Sequence, residues 1–212
     1  MSADRPVVAA FDFDGTITRH DTVVPFMRRV AGPAPFALGL LRRLPRLLTA
    51  IARRDRNAMR AVGTAAAFTG RDAAEVEALA REHAAAIIRD GLRADVVARV
   101  RWHLAAGHRV VIVSASYEQY LRPVADHLGI DGVCGTRLER DGAGRLTGRL
   151  LGPNCRGPEK VVRLDTWLAA HGLGRDAVTL WAYGDSAGDR DLLAVADRPV
   201  WVTGPLAAPP SA

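Results

Sequence analysis

The sequence contains few cysteines, and those present show no metal-binding or disulfide pattern. Cys134 and Cys155 are the only two among 212 residues, and neither they nor the six histidines have the spacing of a Cys/His metal site. Two cysteines in a chain of this length do not suggest a disulfide framework, so a reducing cytoplasm is the expected location. The N-terminal residues also lack a secretory signal pattern, because Asp12 and Asp14 interrupt the apolar stretch.

Long apolar runs and lysine are scarce as well. No uninterrupted apolar run approaches the roughly 20 residues that a membrane-spanning helix needs. Lys160 is the only lysine, and the formal net charge of +6 comes almost entirely from arginine. The arginines are scattered, with one local concentration at residues 42–60. Scattered charge is not the basic stripe typical of nucleic-acid binding, so we expect no nucleic-acid partner.

The apolar run at residues 6–11 reads as a buried strand and ends in Asp12, Asp14 and Gly15. In an extended strand, residues two apart point to the same side, so the two carboxylates would repel each other. A bound cation would remove that repulsion, and oxygen ligands suit Mg²⁺. Open α/β sheets bind ligands beyond the carboxyl ends of their strands. The segment predicts a metal-assisted catalytic carboxylate, with a plain Asp-Gly turn as the alternative.

Apolar strands alternate with helical segments along the rest of the chain. This alternation predicts an α/β fold with a Rossmann-like, mostly parallel sheet. Further strands are predicted at 109–113, 130–134, 178–183 and 200–202, helices at 117–128, 158–171 and 187–196, and a small β-hairpin at 136–151.

The chain between the first two predicted strands is too long for one crossover helix. Its helical patterns cover residues 22–31, 36–54, 56–68 and 72–90. We therefore expect an inserted α-helical cap domain at 22–93, with 1–21 and 94–212 forming the catalytic core. Caps of this kind exclude water and select substrates.

One part of this insertion, residues 36–54, is apolar with interleaved arginines. Such a segment either lies at a membrane interface or packs its leucines inside the cap while its arginines face water. Pro45 would kink or split any helix there. Both interpretations stay open at this point, so peripheral contact with the inner membrane is an alternative to a purely cytoplasmic location.

Three further sites follow predicted strands or precede a predicted helix. The Ser114 hydroxyl, after the second strand, is placed either to hold a phosphoryl oxygen or to cap a helix. Lys160 stands near a helix start, where a cation gains nothing from the helix dipole, so an anionic ligand or a carboxylate would explain it; a lysine exposed to solvent is the alternative. Asp185 is placed to bind a metal ion together with Asp12. Asp189 is placed to bind the same ion directly or to orient its surroundings through a water molecule.

Together these motifs resemble those of the haloacid dehalogenase-like (HAD) phosphohydrolases. The resemblance runs from about residue 7 to 202, and the long insertion looks like the helical cap of that family. It rests on DFDGT at 12–16, Ser114 after the second strand, Lys160 downstream, and the GDxxxD motif at 184–189. The chain most resembles the phosphoserine phosphatase-like branch. The resemblance implies the HAD fold and a Mg²⁺-dependent phosphomonoesterase that acts through an aspartyl-phosphate.

The resemblance also implies catalytic and metal-binding roles. Asp12 would be the nucleophile, and Asp14 would protonate the leaving alkoxide and then deprotonate the hydrolytic water. Mg²⁺ would be held by the Asp12 carboxylate, the Asp14 backbone carbonyl and Asp185. Asp189 would support the metal shell.

Phosphate binding and substrate choice follow in the same way. Ser114, Lys160 and Gly15 would bind the phosphoryl group. Asp21 would stand where that branch contacts the amine of phosphoserine, one carbon shorter than the usual Glu. The branch usually has Asn where this chain has Gly188, and no arginine here sits in a motif that would hold a substrate carboxylate. Phosphoserine or another small phosphomonoester is expected, with a lipid-phosphate phosphatase at the membrane surface as the alternative.

Two other classes of protein are alternatives to this interpretation. The segment 184–188 matches the G-x-S-x-G nucleophile elbow of α/β-hydrolases, but the last histidine, His171, precedes Ser186, whereas that triad needs a histidine after the serine. A catalytically silent, phosphate-binding or membrane-associated protein is the second alternative. The intact set of aspartates and the single lysine argue against it.

Overall fold

A five-stranded parallel sheet forms the centre of the computed structural model, which describes residues 5–208. The strand order is β3-β2-β1-β6-β7, and a separate antiparallel hairpin consists of β4 and β5. The strands are β1 (Val7–Phe11), β2 (Arg109–Tyr117), β3 (Gly132–Thr136), β4 (Leu138–Arg140), β5 (Leu146–Leu150), β6 (Thr179–Gly184) and β7 (Arg198–Trp201). The predicted α/β class is therefore confirmed.

Nine α-helices surround this sheet within the described residues. They are α1 (Val23–Ala31), α2 (Pro33–Leu41), α3 (Leu44–Ala52), α4 (Arg56–Phe68), α5 (Ala73–Ala86), α6 (Ala94–Ala105), α7 (Glu118–Leu128), α8 (Pro158–Ala170) and α9 (Arg190–Ala194). Within residues 5–208, none of these helices has the length and apolar character that crossing a bilayer requires.

Strand β1 lies in the middle of the sheet and is covered on both faces. Its side chains alternate between two apolar cores, which is why the strand is apolar throughout rather than alternating with polar residues. Ala9 and Phe11 belong to the core that contains residues of α6 and α7. Val8 and Ala10 belong to the core that contains residues of α8 and α9.

Several predicted boundaries are displaced. Strand β2 continues to Tyr117, beyond its predicted end at residue 113, because Tyr117 still pairs with Thr136 of β3 after an irregularity in the register. Helix α9 covers only Arg190–Ala194 of the predicted 187–196. The residues before α9 form a loop instead.

The segment 36–54 is divided into two helices. Helix α2 ends at Leu41 and α3 begins at Leu44, so Arg42 and Arg43 form the turn between them. Pro45 occupies the first turn of α3, where the missing N–H costs no intrahelical bond. The predicted split at this proline is confirmed.

The chain leaves and re-enters the core at neighbouring positions. Arg19 N donates to Gly91 O at 3.0 Å, and Arg93 N donates to Ile17 O at 2.9 Å. Helices α1 to α5 lie between these two crossings. The arrangement supports the predicted cap at 22–93, whose boundaries stay a prediction.

The β4–β5 hairpin packs against the inserted helices, although its sequence position lies in the predicted core segment 94–212. Strand β5 contacts α4. Gly70 N donates to Leu146 O, and Leu146 N donates to Arg71 O, both at 2.8 Å. The hairpin, which follows β3 in the chain, therefore connects the core segment to the inserted helices through backbone hydrogen bonds.

Candidate active site

The predicted site residues meet at the carboxyl edge of the sheet. Asp12 directly follows β1, Asp185 directly follows β6, and Ser114 lies near the end of β2. Lys160 is in the first turn of α8 and points into the same pocket. From β1 the chain order runs to β2 and β3 on one side and to β6 and β7 on the other, so the strand order changes direction at β1. Open α/β sheets bind ligands in the crevice at such a point.

Lys160 forms a buried ion-pair cluster with two aspartates. Its Nζ donates to Asp12 Oδ1 at 2.6 Å and also to Asp189 Oδ1. The three residues are only 2%, 6% and 1% exposed, in the order Lys160, Asp12 and Asp189. Burial disfavours the charge of Lys160, but the two carboxylates outweigh this effect and raise its pKa above the ordinary value. The carboxylate partner expected for this lysine is therefore present.

Negative charge exceeds positive charge at this point of the pocket. Burial raises the pKa of Asp12, and repulsion from Asp189 adds to this effect although Lys160 opposes it. Burial also raises the pKa of Asp185, and repulsion from Asp12 and Asp189 raises it further. One lysine thus faces three acidic side chains, which favours the binding of a further cation.

The geometry of these carboxylates fits a divalent cation. Carboxylate oxygens of Asp12, Asp185 and Asp189 lie within 4.8 Å of one another. Asp185 Oδ1 is buried and has no hydrogen-bond partner among the described residues. Gly15 allows this arrangement, because a Cβ there would stand 2.3 Å from Asp185 Oδ2. An oxygen-only donor set with an unsatisfied carboxylate oxygen suits Mg²⁺.

The Asp14 carboxylate is held apart from this cluster. Thr22 donates to Asp14 Oδ1 from its N at 2.9 Å and from its Oγ1 at 2.6 Å, and Ser116 Oγ donates to Oδ2 at 2.7 Å. Burial raises the pKa of Asp14 to about 6 despite these bonds. A carboxyl group with such a pKa can both donate and accept a proton near neutral pH.

Asp14 does not lie in an extended strand, so the prediction that its side chain and that of Asp12 share one side of a strand is wrong. Strand β1 ends at Phe11, and Phe13–Ile17 form a tight turn with a positive φ of 80° at Gly15. Both Asp12 and Asp14 still line the pocket, but their carboxylates have separate partners. The role of Asp14 as a metal ligand through its backbone carbonyl stays a prediction.

The predicted phosphate-binding groups differ in their surroundings. Lys160 and Gly15 line the pocket, and Ser114 does so from β2 with 2% of its surface exposed. Ser114 Oγ accepts a hydrogen bond from Ser116 N at 3.3 Å. Ser116, whose hydroxyl holds Asp14, was not predicted, although its spacing of two residues from Ser114 was a usable signal.

Asp21 lies at the rim of the pocket and has a local structural role. Its Oδ1 accepts a hydrogen bond from Val23 N at 2.7 Å, which satisfies a free backbone donor at the start of α1. Asp21 is exposed and lines the pocket, so its role in substrate choice stays a prediction.

The pocket has a volume of about 720 Å³, and the inserted helices α1, α2 and α4 contribute part of its lining. Apolar side chains from these helices include Val24, Met27, Phe36, Leu40 and Met59. Arg60 also lines it, with its guanidinium carbon 5.4 Å from the centroid of the Tyr117 ring. Arg60 Nη1 is buried and has no hydrogen-bond partner within residues 5–208.

Tyr117 fixes the place of Arg60. Tyr117 is fully buried, and its hydroxyl shares a hydrogen bond of 2.8 Å with Thr64 Oγ1. A guanidinium over an aromatic face is attracted to it, so the pair presents a positively charged group to the pocket. Sequence reasoning missed Arg60 because no local motif distinguishes it from the other arginines of 42–60.

The serine of the G-x-S-x-G match serves the aspartate loop. Ser186 donates to Asp189 Oδ2 from its N at 2.9 Å and from its Oγ at 2.8 Å. These bonds orient Asp189 and explain why residues 185–189 form a loop before α9. Ser186 is thus bonded to a carboxylate rather than to a histidine.

Residues 9–194 match the haloacid dehalogenase-like hydrolase family, and the chain belongs to that family. Over 194 residues it is 40% identical to Protein CicA of Caulobacter vibrioides, a match that covers 92% of this chain and 85% of that protein. It is 29% identical over 198 residues to phosphoserine phosphatase SerB1 of Mycobacterium tuberculosis. That match covers 91% of this chain and 63% of the other protein.

The fold is shared with a solved phosphoserine phosphatase in complex with substrate. The TM-score is 0.62 at 18% identity, and the match covers 92% of this chain and 84% of that chain. The family and the fold predicted from the four motifs are therefore confirmed, and the phosphoserine phosphatase relative supports the predicted class of enzyme, a phosphatase.

Proposed function

We propose that this protein is a Mg²⁺-dependent phosphomonoesterase that forms a phosphoryl-Asp12 intermediate. One observation carries the proposal: Asp12 stands at the base of the pocket, bonded to buried Lys160 and beside the unsatisfied oxygen of Asp185. A carboxylate is normally repelled by an anionic phosphate, and cations beside it offset that repulsion. The phosphoserine phosphatase relative supports the same class of reaction.

The reaction would proceed in two displacements. In the first, an Asp12 carboxylate oxygen bonds to phosphorus while the ester P–O bond breaks, and Asp14 gives its proton to the leaving alkoxide. In the second, Asp14 takes a proton from water as the water oxygen bonds to phosphorus, and the bond to Asp12 breaks. Inorganic phosphate leaves, and both aspartates return to their initial states.

The cation would be held by Asp12 and Asp185, with Asp189 and the Asp14 backbone carbonyl in support. When bound, Mg²⁺ supplies positive charge to the phosphoryl oxygens. Lys160 and Ser114 would add fixed donors for the charge that spreads over those oxygens in the transition state. Gly15 would let the chain approach the phosphoryl group closely.

The substrate we propose is a small phosphomonoester with a second anionic group. Arg60, with its unpartnered Nη1 in the pocket, supports this choice. In phosphoserine, the carboxylate would face Arg60 and the amine would face Asp21. A cytoplasmic location, consistent with two free and buried cysteines, is part of the same proposal.

Phosphate release by the purified protein tests this function. The panel contains phosphoserine, sugar phosphates, nucleotides, p-nitrophenyl phosphate and phosphatidylglycerophosphate in micelles, each with and without Mg²⁺. We expect Mg²⁺-dependent release that Asp12→Asn lowers on the order of 10³-fold or more, because the attacking charge is lost with little change of shape.

Two results would contradict the proposal. Turnover near the wild-type rate in Asp12→Asn would overturn the nucleophile. Absence of release from every ester, in a protein that still binds Mg²⁺, would favour the catalytically silent alternative. Preference for the lipid substrate would instead replace the small phosphomonoester.

A further inference from the structure

The two helices α2 and α3 with the turn between them, here called the α2–α3 hairpin, expose five large apolar side chains. The members of this leucine ridge are between 38% and 61% exposed: Leu38, Leu41, Leu44, Leu48 and Ile51. The other large apolar residues that are exposed in the described chain are scattered over separate elements: Val24, Leu151, Val162 and Trp201. From this ridge we infer that the hairpin is a docking surface for an anionic lipid bilayer.

The ridge is distinct from the face by which the hairpin packs on the protein. Leu38 and Leu41 are three residues apart in α2, and Leu44, Leu48 and Ile51 are four and three residues apart in α3, so each helix carries its exposed members on one side. The packing face uses other residues, among them Phe36, Gly39 and Ala50, all of them buried. The leucines left outside are therefore not part of the cap interior.

Gly39 shows how closely the packing face fits. A Cβ at this position would stand only 3.0 Å from the backbone oxygen of Ala66 in α4. Close contact through a small residue seats α2 firmly on α4, so rotating the hairpin to bury its ridge would break this contact. The structure thus holds the ridge outward.

The charge around the ridge selects an anionic partner. Residues 22–54 contain seven arginines and no aspartate or glutamate. Five of these arginines lie on or beside the hairpin: Arg42, Arg43, Arg46, Arg53 and Arg54. Within residues 5–208, none of the five forms a salt bridge. No carboxylate therefore neutralises these five charges among the described residues, although Arg43 Nη1 donates to Gly39 O at 3.0 Å.

A bilayer satisfies both features better than a second copy of the chain does. Two copies meeting through the same patch would bring the five arginines of each copy together, with Asp55 the single acidic residue directly beside the hairpin in the sequence. At a bilayer, leucines enter the boundary of the acyl chains while arginines bind lipid phosphates. Basic residues near an anionic membrane surface are attracted to it, so five of them give a clear dependence on lipid charge and on salt.

The position of the hairpin relates this surface to the pocket. Phe36 and Leu40, on the inner side of α2, line the pocket. A docked hairpin would therefore place the pocket beside the lipid surface. Docking itself does not depend on the proposed phosphatase activity, and it is measured without any turnover.

Vesicle co-sedimentation tests the inference. The full-length protein is mixed with vesicles of phosphatidylcholine alone or of phosphatidylcholine with phosphatidylglycerol in equal parts. We expect binding to the anionic vesicles only, weakened by high salt, and at least about tenfold weaker in Leu41→Asp/Leu48→Asp because apolar insertion is lost. Val162→Asp, an equally exposed apolar site on α8, is the matched control and should bind like the wild type.

Other outcomes overturn the inference. The inference is wrong if the wild type does not bind anionic vesicles, or if the double variant binds them as tightly as the wild type does. A wild-type dimer in analytical ultracentrifugation that Leu41→Asp/Leu48→Asp dissociates, without vesicle binding, would assign the ridge to a second copy. Circular dichroism and p-nitrophenyl phosphate turnover of the variants check that the fold is retained.

Discussion

The base of the pocket and the α2–α3 hairpin depart from ordinary burial in opposite directions. At the base of the pocket, Lys160, Asp12 and Asp189 are charged groups removed from water. On the hairpin, Leu41 and Leu48 are large apolar groups left in water. Neither arrangement is favoured by folding alone, so each indicates a binding partner: a cation together with a small anionic substrate at the first, and an extended anionic surface at the second.

The two regions differ in how tightly the fold constrains them. Burying charges is costly, and removing one partner of a buried ion pair leaves the other uncompensated, at about 3–5 kcal/mol. A single exposed apolar side chain costs little and can change with little effect on stability. Substitutions at the base of the pocket should therefore lower both stability and activity, whereas substitutions in the ridge should change neither.

Lys160→Met should have the largest effect. It leaves Asp12 and Asp189 buried without their cation, so we expect the free energy of unfolding to fall by about 3–5 kcal/mol and turnover of p-nitrophenyl phosphate to fall at least about 100-fold. Urea unfolding measures the free energy of unfolding, and steady-state kinetics measures the turnover. Lys160→Met/Asp189→Asn should recover part of the stability but not the activity. Unchanged unfolding of the single variant would contradict the role of this cluster.

Asp14→Asn should have a large effect that depends on the leaving group. An alkyl phosphate needs a proton donor as its ester bond breaks, so its turnover should fall about 10²–10⁴-fold. p-Nitrophenol leaves without a proton, so rapid mixing should still show one equivalent released in an initial burst. The slow steady-state rate after the burst would show that Asp14 is no longer present to take a proton from the hydrolytic water. A burst that is lost to the same degree as alkyl phosphate turnover would contradict the assignment.

Arg60→Met should have a smaller effect, which is confined to substrate choice. We expect kcat/KM for phosphoserine to fall about 10–100-fold relative to p-nitrophenyl phosphate, because one charge-assisted hydrogen bond is lost. Arg56→Met is the matched control, since Arg56 also lines the pocket but is exposed. Equal losses on both substrates would show that Arg60 supports the cap rather than the substrate.

Leu48→Ser should have the smallest effect. Because Leu48 is 55% exposed, we expect the free energy of unfolding to change by less than about 0.5 kcal/mol and p-nitrophenyl phosphate turnover to be unchanged. Leu164→Ser, at a fully buried position of α8, is the contrasting variant and should lose several kcal/mol. Strong destabilisation by Leu48→Ser would place the ridge in the cap interior and remove the contrast.

Much of the site could be predicted because its residues follow strands. Parallel strands bring their carboxyl ends to one edge, so the positions of Asp12 and Asp185 after apolar runs predicted that they would meet. Lys160 joined them because it opens a helix at the same edge. Arg60 and Ser116 could not be found in this way, since their roles depend on partners far away in the chain, Tyr117 for the first and Asp14 for the second.

The sequence by itself determined the family, the order of the elements and the acidic motifs, because periodicity and local spacing are properties of neighbouring residues. Tertiary structure alone decided which carboxylates Lys160 binds, that Asp14 is held apart, and that the leucines of the ridge face outward while Leu40 lines the pocket. Burial and ion pairing depend on groups brought together from distant parts of the chain. Packing of the inserted helices on the sheet is what fixes those contacts.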